Sequence, residues 1–187
     1  MATALSSKHR RDLRALTGLA ERDLATLWRQ FDTADQARQA LMDLLPRLVS
    51  IYGAAAATLA ADYFDDMRDV AGVKGRFQAI PAETADPGKL DVLARVAVGP
   101  LFGPAPDFTS ALVLARGGLQ RHIANADRQT MATSSVEDRH ARGWQRVGTG
   151  RCDFCQMLLG RGAVYTEATA DFAAHDHCGC TAEPVFD

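Results

Sequence analysis

All four cysteines of this 187-residue chain fall between Trp144 and Phe186, in the stretch WQRVGTGRCDFCQMLLGRGAVYTEATADFAAHDHCGCTAEPVF. They form a C-x2-C pair, Cys152 and Cys155, and a C-x-C pair, Cys178 and Cys180, with His175 and His177 just before the second pair. No other feature restricts the fold as strongly, because a metal shared by the two pairs ties two halves of a small subdomain together. Zinc is commonly held by four sulfur or imidazole donors in a tetrahedron. A C-x2-C knuckle supplies two of them from one tight turn. The segment H-D-H-C-G-C offers more donors than the two still needed. His175 and Cys178 have the H-x-x-C spacing of a turn, and Cys178 and Cys180 point the same way on an extended segment.

The shell this favours is Cys152, Cys155, His175 and one of Cys178 or Cys180, with His177 the weakest ligand. With every donor supplied by protein the site has no open position for water, so a zinc ion there is structural, not catalytic. Disulfides, a redox pair at Cys152 and Cys155, and metal-free packed thiols are the competing readings. Glu167, Asp171, Asp176 and Glu183 lie nearby and read as exposed charges or as groups that orient a histidine. A zinc-containing nuclease or other DNA-acting enzyme is the alternative of a different class. It needs a histidine base beside a metal with an open position, which a donor-rich cluster disfavours.

Composition bears on the rest of the chain. Hydrophobic residues make up 47% and charged residues 24%, which suits one globular domain, or one domain with a small appendage. Aromatics are only 7%, and alanine and leucine fill the apolar positions, a choice that favours helices. A net charge of -2 gives the whole chain no electrostatic signature of nucleic-acid binding. Lys8, His9, Arg10, Arg11 and Arg14 form a local basic cluster, read as a solvated first helix or as a contact for DNA phosphate or an acidic partner. The N-terminus shows no apolar run of signal-peptide length. The longest apolar run, Ile51 to Ala61, is interrupted by Gly53 and Thr58 and is too short to span a bilayer. A chain made and kept inside a cell follows, with metal ligands favoured over disulfides.

Leucines 13, 16, 24 and 27 recur at helical spacing, with Gly18 expected to divide residues 7–30 into two short helices. Asp32 or Thr33 is placed to cap a long helix that runs to about Arg68, and Pro46 is expected to kink or restart it. The small side chains of residues 52–61 make a packing surface. Residues 71–107, rich in glycine and proline, read as an irregular connector around one short helix at 89–98. A second long helix is predicted from Asp107 or Thr109 to about Met131, weakened by Gly117-Gly118. Ser134 and Glu137 then have the spacing of a capping box, which predicts a new helix start. Strands are expected at 144–147, 163–165 and 180–186, with a short helix at 153–159. The architecture is therefore mainly α. A helical body over residues 1–142 is followed by a small α+β, zinc-knuckle-like subdomain over 143–187.

The stretch GRCDFCQMLLGRGAVY followed by HDHCGCTAEPVF resembles the C-terminal motif of MuF-like phage head morphogenesis proteins, the minor capsid proteins of tailed phages. Cys152, Cys155, Leu159, Gly160, His175, Cys178, Cys180 and Pro184 occupy the motif positions, in a form most similar to that of phages of actinobacteria. YGAAAATLAADYFDDMR, RHIANADRQT and GWQRV resemble the helical part of the same group. The resemblance implies a non-enzymatic protein bound to the phage portal or major capsid protein inside the virion, present in the host cytoplasm during assembly, and involved in head assembly, DNA packaging or DNA delivery.

Overall fold

The computed structural model describes residues 2–83, 85–148, 153–162, 165–166, 172 and 176–186. In chain order the elements are α1 (Ala2–Trp28), α2 (Ala34–Val70), α3 (Pro87–Val98), a 3-10 turn at Gly99–Leu101, α4 (Phe108–Glu137), β1 (Ala141–Val147), α5 (Asp153–Leu159) and β2 (Thr181–Phe186). A mainly helical body thus carries one two-stranded antiparallel sheet. The expected strand at 163–165 falls largely outside the described residues, although Tyr165 pairs with Trp144 as a single bridge.

Local chemistry explains where the helices start. Thr33 caps α2 in a full capping box: its hydroxyl accepts from the Gln36 amide at 3.3 Å, and Gln36 Oε1 accepts from the Thr33 amide at 3.2 Å. Asp86 caps α3, whose first residue is Pro87, where the missing amide is harmless. Asp107 caps α4 through the Ser110 amide at 2.9 Å.

Two sequence expectations, and the restart half of a third, are corrected. Gly18 does not divide the first helix, because the buried face of α1, formed by Leu13, Ala20 and Leu24, is continuous across it. Burial of that face outweighs the ~1 kcal/mol by which glycine disfavours a helix. Pro46 lies inside the unbroken 37-residue α2 and restarts nothing. Ser134 does not open a new helix. It is 1% exposed within α4, and its carbonyl accepts from the Asp138 amide at 2.9 Å where α4 ends.

Two apolar cores lie along α2. The first joins Leu13 and Leu24 of α1, Leu41, Leu45 and Val49 of α2, Leu93 of α3, and Leu119 and Ile123 of α4. The pair Gly117-Gly118 is a packing device here. A Cβ on Gly118 would lie 2.0 Å from Leu93 Cδ1, so its absence lets α3 close on α4. The second core joins Phe64 and Met67 of α2, Met131 of α4, Trp144 of β1 and Ala182 of β2, which fixes the sheet to the far ends of the long helices. By length and composition α2 would pass for a membrane-crossing helix, but its buried side chains are covered by α1, α3 and α4, as those of a core helix are.

Buried polar contacts add geometry. Arg68 Nε of α2 bonds Asp138 Oδ2 at 2.8 Å beyond the end of α4, and the same guanidinium donates to the carbonyls of Val73 and Gly75 in the connector. His9 does not belong to a solvated basic face. It is 3% exposed, with Nε2 2.6 Å from Asp127 Oδ1 and its ring stacked on Tyr63 at 4.2 Å. Tyr63 donates to Glu183 Oε2 at 3.0 Å, so α1, α2, α4 and β2 meet there. Burial and the Glu183 carboxylate both raise the Tyr63 pKa, holding its hydroxyl protonated.

Candidate metal centre

The site assembles from two short segments. Helix α5 presents Cys155 from its first turn, and the loop leading into β2 presents Cys178 and Cys180. His177 takes a left-handed backbone conformation, φ 62°, immediately before the C-x-C. Gly179 is exposed between the two buried cysteines.

The sulfur atoms of Cys155, Cys178 and Cys180 all lie within 4.8 Å of one another, and each residue is buried. Cys155 Sγ and Cys178 Sγ are 3.8 Å apart. A disulfide requires about 2.05 Å, and among the described residues no disulfide is present. A separation of about 3.8 Å is the edge of a tetrahedron whose metal–sulfur bonds are ~2.3 Å long. The donor set therefore fits a metal ion that accepts thiolates in tetrahedral geometry. Both thiols of the C-x-C pair reach the cluster, so sulfur contributes one more donor than the expected single cysteine from that pair. Cys152 and His175, the other two expected ligands, lie outside the described residues. His177 is exposed on the loop.

Crowding three thiols makes their ionisation unequal. The Cys178 thiol is held well below its usual pKa, first by the hydrogen bond from the Cys180 thiol, then by the Cys180 backbone amide and the nearby Arg128 charge. The proton that stabilises Cys178 stays with Cys180, whose thiol is pushed up, first by that hydrogen bond and then by burial. A bound cation replaces such protons, since thiolate is the ligand form.

What holds the loop in place comes from the helical body. Arg128 of α4, 2% exposed, donates from Nη2 to Cys178 O at 2.8 Å and to Cys180 O at 2.8 Å. Its Nε also reaches Cys180 O at 3.0 Å, and Nη1 donates to Asn125 Oδ1 at 2.8 Å. The guanidinium lies 4.6 Å from the ring centre of Phe172, whose other neighbours include Arg146 at 3.8 Å and the Trp144 ring at 5.7 Å. Burial lowers the Arg128 pKa, and the negative charge on the cysteines opposes that shift. Gly148 at the end of β1 completes the enclosure: a Cβ there would lie 2.8 Å from Cys180 Sγ and 3.1 Å from Cys180 Cα. Arg128 falls inside the helix expected from Asp107 or Thr109 to about Met131, with no role assigned to it there. Its buried neighbour Asp127 and the apolar face around both were the available signal, since an arginine on such a face needs fixed acceptors.

Among the described residues, Asp176 and Glu183 do not join the sulfurs. Asp176 pairs with Arg121 at 3.2 Å, and Glu183 serves Tyr63 and Gln145 Nε2, the latter at 3.1 Å. Glu167 and Asp171 lie outside the described residues.

No curated protein and no solved structure matches this chain. A family model described as VG15 protein matches residues 1–187, its whole length. The thiol cluster and the helical body that carries it therefore belong to one continuous family unit, and the chain is a member of the VG15 protein family, a phage-related family.

Proposed function

We propose that this chain is a minor capsid protein of MuF-like, head morphogenesis type, seated at the portal inside the phage head, where it aids head assembly and DNA packaging or delivery. The observation that carries the reading is the buried triad Cys155, Cys178 and Cys180, formed within a chain that belongs over its full length to a phage-related family. A buried, sulfur-rich site of this kind suits a structural zinc ion better than a catalytic one. Cys155, Cys178 and Cys180 would hold the ion, with Cys152 or His175 as the fourth donor. Bound there, zinc supplies cross-linking energy and no reaction chemistry. The protein's own part is mechanical: α5 is fastened to the C-x-C loop, and Arg128 fastens that loop to α4. The long helices are then left to make contacts with head proteins.

Co-expression with the portal protein of the same phage, followed by affinity pull-down, tests the reading. A stable complex, and the chain in purified virions by mass spectrometry, are the expected results. Absence from virions together with no portal association would refute it, and metal-dependent DNA cleavage would replace it with the nuclease alternative. Elemental analysis of freshly purified protein should return one zinc per chain.

A further inference from the structure

A cleft of about 300 Å³ opens beside the thiol loop, between α1, α4 and the start of β2. Arg10 and Arg14 line one wall, one helical turn apart, and Arg14 Nε is tethered to the Arg10 carbonyl at 3.2 Å. Thr181 and Gln120 line the other, with His177 and Gly179 on the loop between. Three buried polar atoms of this lining have no hydrogen-bond partner among the described residues: Arg10 Nε, Thr181 Oγ1 and Gln120 Oε1. Thr181 is only 3% exposed. Unpaired buried groups of this kind cost stability, and three on one cleft point to a ligand that satisfies them. The acid of the lining, Glu21, stands seven residues beyond Arg14 on the same helix, roughly 10 Å along its axis.

We propose that this cleft binds a phosphate group carrying at least one ionisable oxygen: orthophosphate, or the terminal monoester at the end of a DNA strand. Two guanidinium groups on one wall select an oxyanion, because arginine matches phosphate oxygens with directed, charge-assisted bonds. The threonine hydroxyl can donate to a further oxygen. Gln120 selects among anions. Its Nε2 is turned towards Cys178 O at 3.5 Å, which presents Oε1 as an acceptor. Monohydrogen phosphate, and a terminal monoester in its monoanionic form, have a P–OH to donate to it. Sulfate, a carboxylate and an internal phosphodiester have no such proton near neutral pH. The site is distinct from the metal centre, although Cys178 and Cys180 form part of the shared wall.

The test uses the full-length protein as purified with its metal, in a buffer free of phosphate and at fixed ionic strength. Isothermal titration with orthophosphate is expected to show one site per chain. Sulfate should bind at least tenfold more weakly. Arg10→Gln and Thr181→Val should each weaken phosphate at least tenfold while metal content and circular dichroism stay unchanged. Arg14→Gln alters an exposed side chain and serves as the variant that keeps the fold if Arg10→Gln does not. Oligonucleotides with a 5′-phosphate and with a 5′-hydroxyl then separate the sources: a preference for the 5′-phosphate identifies a DNA end, and binding of orthophosphate alone identifies the free ion. Equal heats for phosphate and sulfate, or undiminished phosphate binding in Arg14→Gln and Thr181→Val, would overturn the proposal.

Discussion

Replacing Arg128 by methionine is the most informative single perturbation of this fold, because one side chain holds both carbonyls of the C-x-C loop. Methionine keeps much of the volume and removes every donor. The carbonyl of Cys180 would then lose its Arg128 donors in a buried setting and that of Cys178 would keep only the long 3.5 Å contact from Gln120 Nε2, at about 1–3 kcal/mol each. Loss of the guanidinium over Phe172 adds about 0.5–2 kcal/mol. Against this, the variant no longer buries a charge whose desolvation already depresses the arginine pKa, which returns part of the loss. The net expectation is about 3–5 kcal/mol, the usual cost of breaking a buried charged contact from one side. Urea unfolding followed by far-UV circular dichroism would read it: with a slope of about 2 kcal/mol/M, the midpoint should fall by roughly 1.5–2.5 M. Arg128→Lys should recover only part of this, since an ammonium lacks the planar fork that reaches two carbonyls and Asn125 together. Metal transfer to a chromophoric chelator should also accelerate in both variants. A midpoint shift below 0.5 M, roughly 1 kcal/mol on the same slope, with unchanged chelator kinetics, would refute the assignment of Arg128 as the anchor of the loop.

Three further outcomes follow from the same structure. Gly143 has φ 126°, and an added Cβ would lie 2.2 Å from Tyr165 O, so Gly143→Ala should break the Trp144–Tyr165 bridge and cost about 3 kcal/mol or more; a thermal melt and Trp144 fluorescence would show it, and a loss below 1 kcal/mol would count against the geometry. Burial, then the charges of Arg121 and Lys89, depress the His122 pKa below its usual value of 6.5. The unfolded chain therefore binds a proton more readily than the folded one, so the stability due to neutral His122 is complete above pH 6.5 and is lost as pH falls through 6.5 towards the depressed value; His122→Gln should flatten that part of the stability profile, and an unchanged slope would argue otherwise. Thiol titration of native protein should find the buried cysteines unreactive until a strong chelator is added, whereupon all four cysteines react and the melting temperature drops; full reactivity without chelator would speak against a metal.

Much of the helical body was legible because helix signals are local. Thr33, one of the two cap residues expected for α2, and Asp107, one of the two starts expected for α4, act within one turn, so they can be read without knowing what packs on them. The Asp86–Pro87 start of α3 is a signal of the same kind that the expected span of 89–98 passes over. The misread positions were those where packing decides. Gly18 and Ser134 carry the residue types of a break and of a cap, yet both lie in unbroken helices whose apolar faces are covered by neighbours. Gly117-Gly118 looks like a weak point in the sequence and proves to be a contact, since only the position of Leu93 shows what a side chain there would strike.

The same division runs through the site. Residue type and spacing alone marked the cysteines as a metal-ligand set, because thiolate chemistry and the reach of C-x2-C and C-x-C turns do not depend on the rest of the chain. Which thiols meet was a tertiary matter: the sulfurs of Cys155 and Cys178 come from segments 23 residues apart in sequence. Only the folded chain shows that Cys180 joins them, that Gly148 makes room for it, and that Arg128, some 50 residues upstream, holds the loop. It also moved His9 from an imagined basic surface to a buried contact with Asp127, and left Arg10 and Arg14 on the wall of a cleft. Sequence determined the donors and the helices because both follow from groups close along the chain. The tertiary structure decided the enclosure, since burial and charge pairing depend on surfaces that meet only when distant segments fold together.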